Sequence, residues 1–242
     1  MYVGVMPSRV SNKKNPVGGK AGSPVHDLVY MEIRHSLMVG TFAPGEKVSL
    51  RSLADQVGTS LTPVRGAVNR LIAEGAFQVL PNRWVVIPSM TEEKFEEITH
   101  WRIQLETEAT RRAVANIDAK RLKEIIRINS EMVKAVQEVS DPPEVLSRNY
   151  DFHFAIYRES KSKVLLPMIE SLWLQAGPFT CYSLTSPRDL WDAKFHEAVI
   201  AALKTGDAKG AAKGIKQDIV NTAAFLKRHG KYEQPKLRRV VR

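Results

Sequence analysis

The sequence predicts a mainly α-helical chain in two parts: a small helical unit that ends in a β-hairpin, followed by an all-α bundle. Three observations carry this expectation. Apolar residues recur at helical spacing along most of the chain; two short helices lie almost end to end ahead of two β-type runs around a turn; and positive charge concentrates at the two ends. Residues 1–87 carry a net charge of +5, residues 88–225 a net −1, and residues 226–242 a net +6. A basic unit joined to a near-neutral body fits a nucleic-acid partner, although a charge run is more often just a solvated surface and charge alone does not settle it.

Bulk composition sets the outer bounds. With 242 residues, 43% of them hydrophobic, the chain can bury the core of one or two domains. Cys181 is the sole cysteine, which excludes an internal disulfide framework and a thiolate zinc cluster and points to the cytoplasm. No apolar run approaches the ~18 residues of a membrane helix, and no basic-then-apolar signal opens the chain.

Residues 1–23 are rich in Gly, Pro, Ser and Lys without periodicity and read as a flexible arm. From Pro24 the pattern turns helical, with Leu28, Met31, Ile33, Leu37 and Met38 as the apolar stripe and Gly40 as the stop. "FAPGEKVS" reads as a turn around Pro44 and Gly45. Ser49 can cap a short helix whose Leu50, Leu53, Ala54 and Val57 share a face, closed by Gly58.

The next helix follows at once. Thr62 can cap it, and Pro63 costs little in a first turn, where its missing N–H would be unpaired anyway. Val64, Ala67, Val68 and Leu71 form a buried stripe, Gly75 ends the helix, and Arg65, Asn69 and Arg70 are left on the outside. "AFQVL" and "WVVIP" then flank the turn residues "PNR" as a hairpin. Helix, helix–turn–helix and hairpin, over residues 24–88, is the order of a winged helix-turn-helix. A helix entering the major groove needs an apolar back to rest on its own domain and a polar front for phosphates and base edges. Arg65 and Arg51 are the candidates for guanine, and Ser60 and Thr62 for phosphate. Leu61, Pro63 and Asn69, with Asn82 and Arg83 of the hairpin turn, complete the candidate DNA-facing set.

Residues 40–88 resemble the DNA-binding domain of GntR-type bacterial transcription regulators. The resemblance rests on Pro44-Gly45, Leu53-Ala54, Gly58, Ser60, Thr62-Pro63-Val64-Arg65 and Glu74-Gly75. It departs from the family at Leu61, usually arginine, at Gly66, usually glutamate, and at Asn82, usually the glycine of the wing.

Residues 91–228 read as an all-α domain, with a basic tail over 229–242. Thr91 can cap a helix carrying Glu92 and Glu93 in its first turn, with Phe95, Ile98, Arg102, Leu105 and Ala109 inward. Arg102 on that stripe is either an ion pair with Glu106 one turn later or a clamp for a ligand carboxylate. The following helix carries Leu122, Ile125, Ile126, Val133 and Val136. Three later helices each place polar groups on the face that should be apolar: Asn149 and His153, then His196, then Asp218. Each alone is more often a satisfied core residue. Together the four would all be satisfied by one cation, and two imidazoles, a carboxylate and an amide oxygen suit zinc or nickel.

This part resembles the FCD effector domain of the FadR-type GntR branch, a bundle of six or seven helices that in many members holds a metal. The resemblance implies that His153 and His196 are ligands. Asn149 stands where an aspartate often does, and Asp218 where the last histidine often does. Together these features predict a homodimeric DNA-binding transcription regulator, with repressor the expected role and activator the alternative. Its affinity for a double-stranded operator would be set by a small carboxylate effector beside the metal. Two other readings stay open: a metal-dependent hydrolase, with Asp151 and Glu197 as its nearest acid–base candidates, and an effector-independent architectural DNA-binding dimer.

Overall fold

The computed structural model describes residues 24–80, 84–137, 142–185 and 193–233. Its first helix, α1 (Pro24–Met38), buries Val29, Ile33, Leu37 and Met38. Two residues expected on that stripe lie elsewhere: Leu28 and Met31 are 65% and 63% exposed. Apolar residues occur on more than one side of α1, and the neighbours it packs against, rather than its own periodicity, select the buried face.

Helix α2 (Leu50–Gln56) begins with a reciprocal cap: Ser52 N–H donates to Ser49 Oγ at 3.0 Å, and Ser49 N–H donates to Ser52 Oγ at 3.1 Å. Helix α3 (Leu61–Ala73) buries Val64, Ala67, Val68 and Leu71 as the periodicity predicts, and Gly75, with φ of +74°, turns the chain out of it. Its cap position is Ser60, not Thr62. The reason is that proline is accommodated throughout the first turn, so Pro63 serves as the third helical residue as readily as the first. Among the described residues, three two-residue strands close the unit: β1 (Lys47–Val48), β2 (Gln78–Val79) and β3 (Val85–Val86), antiparallel in the order β1-β3-β2. The hairpin is the expected one; β1 adds to it unannounced, because two residues are too few to show alternation within a segment dominated by turn residues.

Among the described residues, six α-helices make the second part: α4 (Glu92–Ala113), α5 (Ala119–Gln137), α6 (Pro142–Tyr157), α7 (Leu165–Thr180), α8 (Lys194–Thr205) and α9 (Ala208–His229). Thr91 caps α4, accepting from Lys94 N–H at 3.2 Å, and Asp207 caps α9, accepting from Gly210 N–H at 2.9 Å. Helix α4 lies against α9 and α7, α5 against α6, and α8 against α9. A single apolar cluster runs from Leu37, Leu53 and Leu71 through Phe154 and Trp173 to Val199 and Ile215, so the two parts share a core.

Past α9 the chain does not leave the body at once. The Tyr232 ring packs on Phe179 at 4.8 Å between centroids and on Phe95 at 5.9 Å, and Glu233 N–H donates to Met90 O at 2.8 Å. The first residues of the expected basic tail are therefore docked, because an aromatic side chain within a basic run still finds an apolar surface. Among the described residues no helix is long and apolar enough to cross a membrane.

Candidate functional site

On α3, Arg65 and Asn69 are exposed, as are Thr62, Leu61 and Ser60 at its start and Arg51 on α2. Pro63 is buried, which corrects its placement in the DNA-facing set: as the third residue of the helix it faces the core. Asn82 and Arg83 lie outside the described residues. Arg70, expected to point outward with Arg65, is held at home. Its Nη1 donates to Asp27 at 2.8 Å and its guanidinium lies 3.6 Å over the Tyr30 ring, while the Tyr30 hydroxyl donates to Glu74. That clamp fastens α3 to α1 and leaves Arg65 and Asn69 as the polar front.

In the bundle, α6, α8 and α9 bring His153, His196 and Asp218 together, each offering a ligand atom within 4.8 Å of the others. His153 Nε2 lies 3.2 Å from Asp218 Oδ2, and His196 Nε2 lies 3.8 Å from Asp218 Oδ1. Both imidazoles are buried. Asn149 and Arg102 line the same cavity as His153 and Asp218, with Met38, Trp173 and Thr180 among its other walls. Its volume is ≈ 40 Å³, counted by where water centres fit. At roughly 10–15 Å³ per water centre, that is room for about three or four water-sized groups.

Hydrogen bonds behind the cluster decide which nitrogens face it. The Tyr157 hydroxyl commits its one proton to Glu106 Oε2 at 2.6 Å, so its oxygen accepts from His153 Nδ1 at 2.9 Å. Asn129 Oδ1 likewise accepts from His196 Nδ1 at 3.0 Å. Each ring thus directs its Nδ1 proton outward and turns Nε2 toward Asp218. Burial pushes the His196 pKa down to about 3, with Asp218 opposing that shift and His153 adding to it, so His196 is a neutral ring whose Nε2 lone pair faces a carboxylate. For Asp218, burial alone would raise the pKa; its contact with His153, the neighbouring His196 ring and the positive charge of Arg102 outweigh it and hold the carboxyl below its usual range. A lone pair opposite an anionic oxygen is repulsive unless a cation lies between them, and the nitrogen and oxygen donors present suit a borderline divalent ion. The donor set therefore fits a metal.

Arg102 makes the ion pair and lines the cavity as well. Its Nε donates to Glu106 Oε1 at 2.7 Å, and its guanidinium lies 4.6 Å over Trp173 in the cavity wall. Glu106 also accepts from Trp173 Nε1 at 3.0 Å and is fully buried. Sequence reasoning marks Glu106 only as a partner for Arg102. It misses Asn129, Tyr157 and Trp173 as parts of the site, since each sits on an ordinary helical stripe and nothing in its spacing marks a hydrogen bond across the bundle.

Residues 26–87 match the bacterial regulatory proteins of the gntR family, and residues 97–221, just over half of the chain, match the FCD domain. The chain belongs to the GntR family and carries an FCD domain. The regulator is 31% identical over 198 residues to the HTH-type transcriptional regulator McbR of Escherichia coli (strain K12), covering 81% of this chain and 89% of McbR. The solved structure of E. coli McbR/YncC superposes with a TM-score of 0.79 at 28% identity, over 85% of this chain and 98% of that one. A GntR regulator from Rhodococcus sp. RHA1 shares the fold, with a TM-score of 0.66 at 21% identity over 84% of this chain and 98% of that one. The gluconate operon transcriptional repressor of Bacillus subtilis (strain 168) is 28% identical over 189 residues, covering 74% of this chain and 75% of the repressor. This protein is accordingly a DNA-binding transcriptional regulator with an effector-binding helical domain, not an enzyme.

Proposed function

We propose that the regulator senses a small organic acid through a divalent ion, zinc or nickel, held by His153, His196 and Asp218 with the amide oxygen of Asn149 as a further donor. The observation that carries this reading is the neutral, buried His196, whose Nε2 lone pair faces Asp218 while its Nδ1 proton is committed to Asn129. When bound, the ion supplies a fixed positive charge against which a carboxylate can be anchored. Arg102 is the second clamp: with its Nε taken by Glu106, its two Nη groups remain to donate to the acid. The cavity volume favours an acid of only a few heavy atoms.

On the DNA side, the unit over residues 24–88 lays α3 in the major groove. Arg65 and Arg51 read guanine, Asn69 reaches base edges, and Ser60 and Thr62 hold phosphate beside Leu61. Asn82 and Arg83 belong to the wing of the same unit. A homodimer of the FadR-type branch, joined through residues 91–228, presents two such helices to a pseudo-palindromic operator in the cytoplasm. Repression is the role we favour, supported by the name of the gluconate operon repressor to which the chain is similar.

Elemental analysis of the purified protein tests the metal centre. The wild-type chain is expected to retain zinc or nickel through exhaustive dialysis, and the double variant His153→Ala, His196→Ala to hold neither. Equal metal in both proteins removes the centre from these residues.

A further inference from the structure

The cavity is not built by the FCD domain alone. Met38, the last residue of α1 and so part of the DNA-binding unit, is 2% exposed and lines it together with Leu146, Ala176 and Thr180. Around Met38 the two units meet backbone to backbone. A Cβ on Gly177 of α7 would lie 2.6 Å from Met38 Cα, a distance real Cβ atoms do not reach, so the glycine is what allows the end of α1 to rest on α7. Gly40, at φ +69°, turns the chain just beyond, where a Cβ would stand 2.9 Å from Thr180 Oγ1 and 3.0 Å from Leu146 Cδ1. Two of the cavity's walls therefore also grip the exit from α1.

One residue ties this contact to the recognition helix. Arg34 Nη1 lies 3.6 Å from Met38 Sδ and 3.2 Å from Glu170 Oε2 on α7, and Arg34 Nε lies 3.4 Å from Glu74 Oε2 at the C-cap of α3. Helix α1 is thus pinned between α3 and α7, with its last side chain in the cavity wall. A close-packed joint of this kind passes a displacement on rather than absorbing it, because there is no free volume to take it up.

We infer that Met38 is an effector-site residue supplied by the DNA-binding unit, and that occupancy of the cavity reaches α3 through Met38, α1 and the Arg34 clamp. The inference rests on the metal-and-acid reading above and adds the route by which that site is read. No linker motion is needed: whatever fills the space beside Asp218 and Asn149 occupies a cavity that Met38 helps to wall, and the placement of α1 that suits an occupied cavity differs from the one that suits an empty one.

Hydrogen exchange on the full-length chain, first stripped of metal with a chelator, tests it, with Zn²⁺ and acetate as probes and bound zinc measured in parallel. On adding both, amide exchange over residues 34–42 and 61–73 is expected to change by at least about fivefold, the lower end of usual coupling between linked sites. In Met38→Ala the change over residues 61–73 is expected to vanish. Arg34→Gln, which leaves the cavity walls in place, is expected to bind zinc as the wild type does and to lose the response over 61–73 while keeping it over 34–42; it also decides the matter if Met38→Ala fails to fold. Zinc uptake that protects residues around 153, 196 and 218 without altering 34–42 overturns this inference and leaves the metal centre standing. Absence of zinc uptake overturns both.

Discussion

Glu106 is a fully buried carboxylate that accepts from Arg102, Tyr157 and Trp173 at once. A carboxylate without partners in that position would be strongly destabilising; its three donors satisfy it and fix its position. The consequence reaches His153: with the Tyr157 proton drawn to Glu106, the Tyr157 oxygen is available only as an acceptor, and His153 is held in the tautomer that turns Nε2 toward Asp218. Tyr157→Phe removes that acceptor and frees the ring to exchange tautomers. Metal affinity is then expected to fall roughly 10–100-fold, as for other removed supports of a metal-bound histidine. Competition with a chromophoric chelator measures it, and an unchanged affinity would show that His153 does not bind through Nε2. Polar residues on apolar stripes point to this site from the sequence, as at Asn149, His153, His196 and Asp218. What spacing does not reveal is a bond between helices, such as Asn129 to His196 across 67 positions of chain.

Among the elements, α3 is the most legible. Its proline, its apolar stripe and its terminal glycine each act within one or two turns, and the structure agrees with them apart from the position of the cap. Its polar side divides by neighbour: Arg70 is taken by Asp27 and Tyr30 on α1, whereas Arg65 and Asn69 stay exposed. Arg65→Ala is expected to cost about 1–3 kcal/mol on the specific operator and much less on random duplex, the difference being the base-reading share of the contact. Gel shifts on both duplexes give it, and equal effects on the two would reassign Arg65 to phosphate alone. Helix α5 is less legible. Periodicity places Leu122, Ile126, Val133 and Val136 inward; all four are half-buried, Leu122 and Ile126 against the core, while besides Ile125 the fully buried residues are Ile128, Asn129, Met132 and Ala135. Its apolar arc is wide, and its contacts with α6 and α8 rotate the buried face to one edge of that arc.

At the scale of the whole molecule, the continuous core from Leu53 to Ile215 makes the DNA-binding unit and the bundle mechanically one body near Gly177 and Met38. The C-terminal end follows the same logic of packing against charge. Residues 234–242 carry Lys236, Arg238, Arg239 and Arg242, while Tyr232 packs into the aromatic cluster of Phe95 and Phe179. Truncation after Glu233 is expected to leave the thermal midpoint unchanged and to reduce the salt slope of DNA binding by about 0.9 for each phosphate that the removed cations neutralise. Truncation after Gly230 is expected to lower the midpoint as well, since it removes the Tyr232 ring. Thermal melts and salt titrations of the two truncated chains separate these effects, and a midpoint unchanged by both would show that Tyr232 contributes nothing to the core.

The amino-acid sequence by itself determined the order of helices and hairpin, the outward face of α3 and the inward placement of four polar groups in the bundle, because caps, turns and helical periodicity operate over a few residues. Only the tertiary structure decided that Leu28 and Met31 face solvent, that Glu106 and Tyr157 hold His153 in one tautomer, and that Met38 closes a cavity whose other walls come from helices far along the chain. Those outcomes depend on which helices meet and at what rotation, and that is a property of the packed core as a whole rather than of any local stretch of chain.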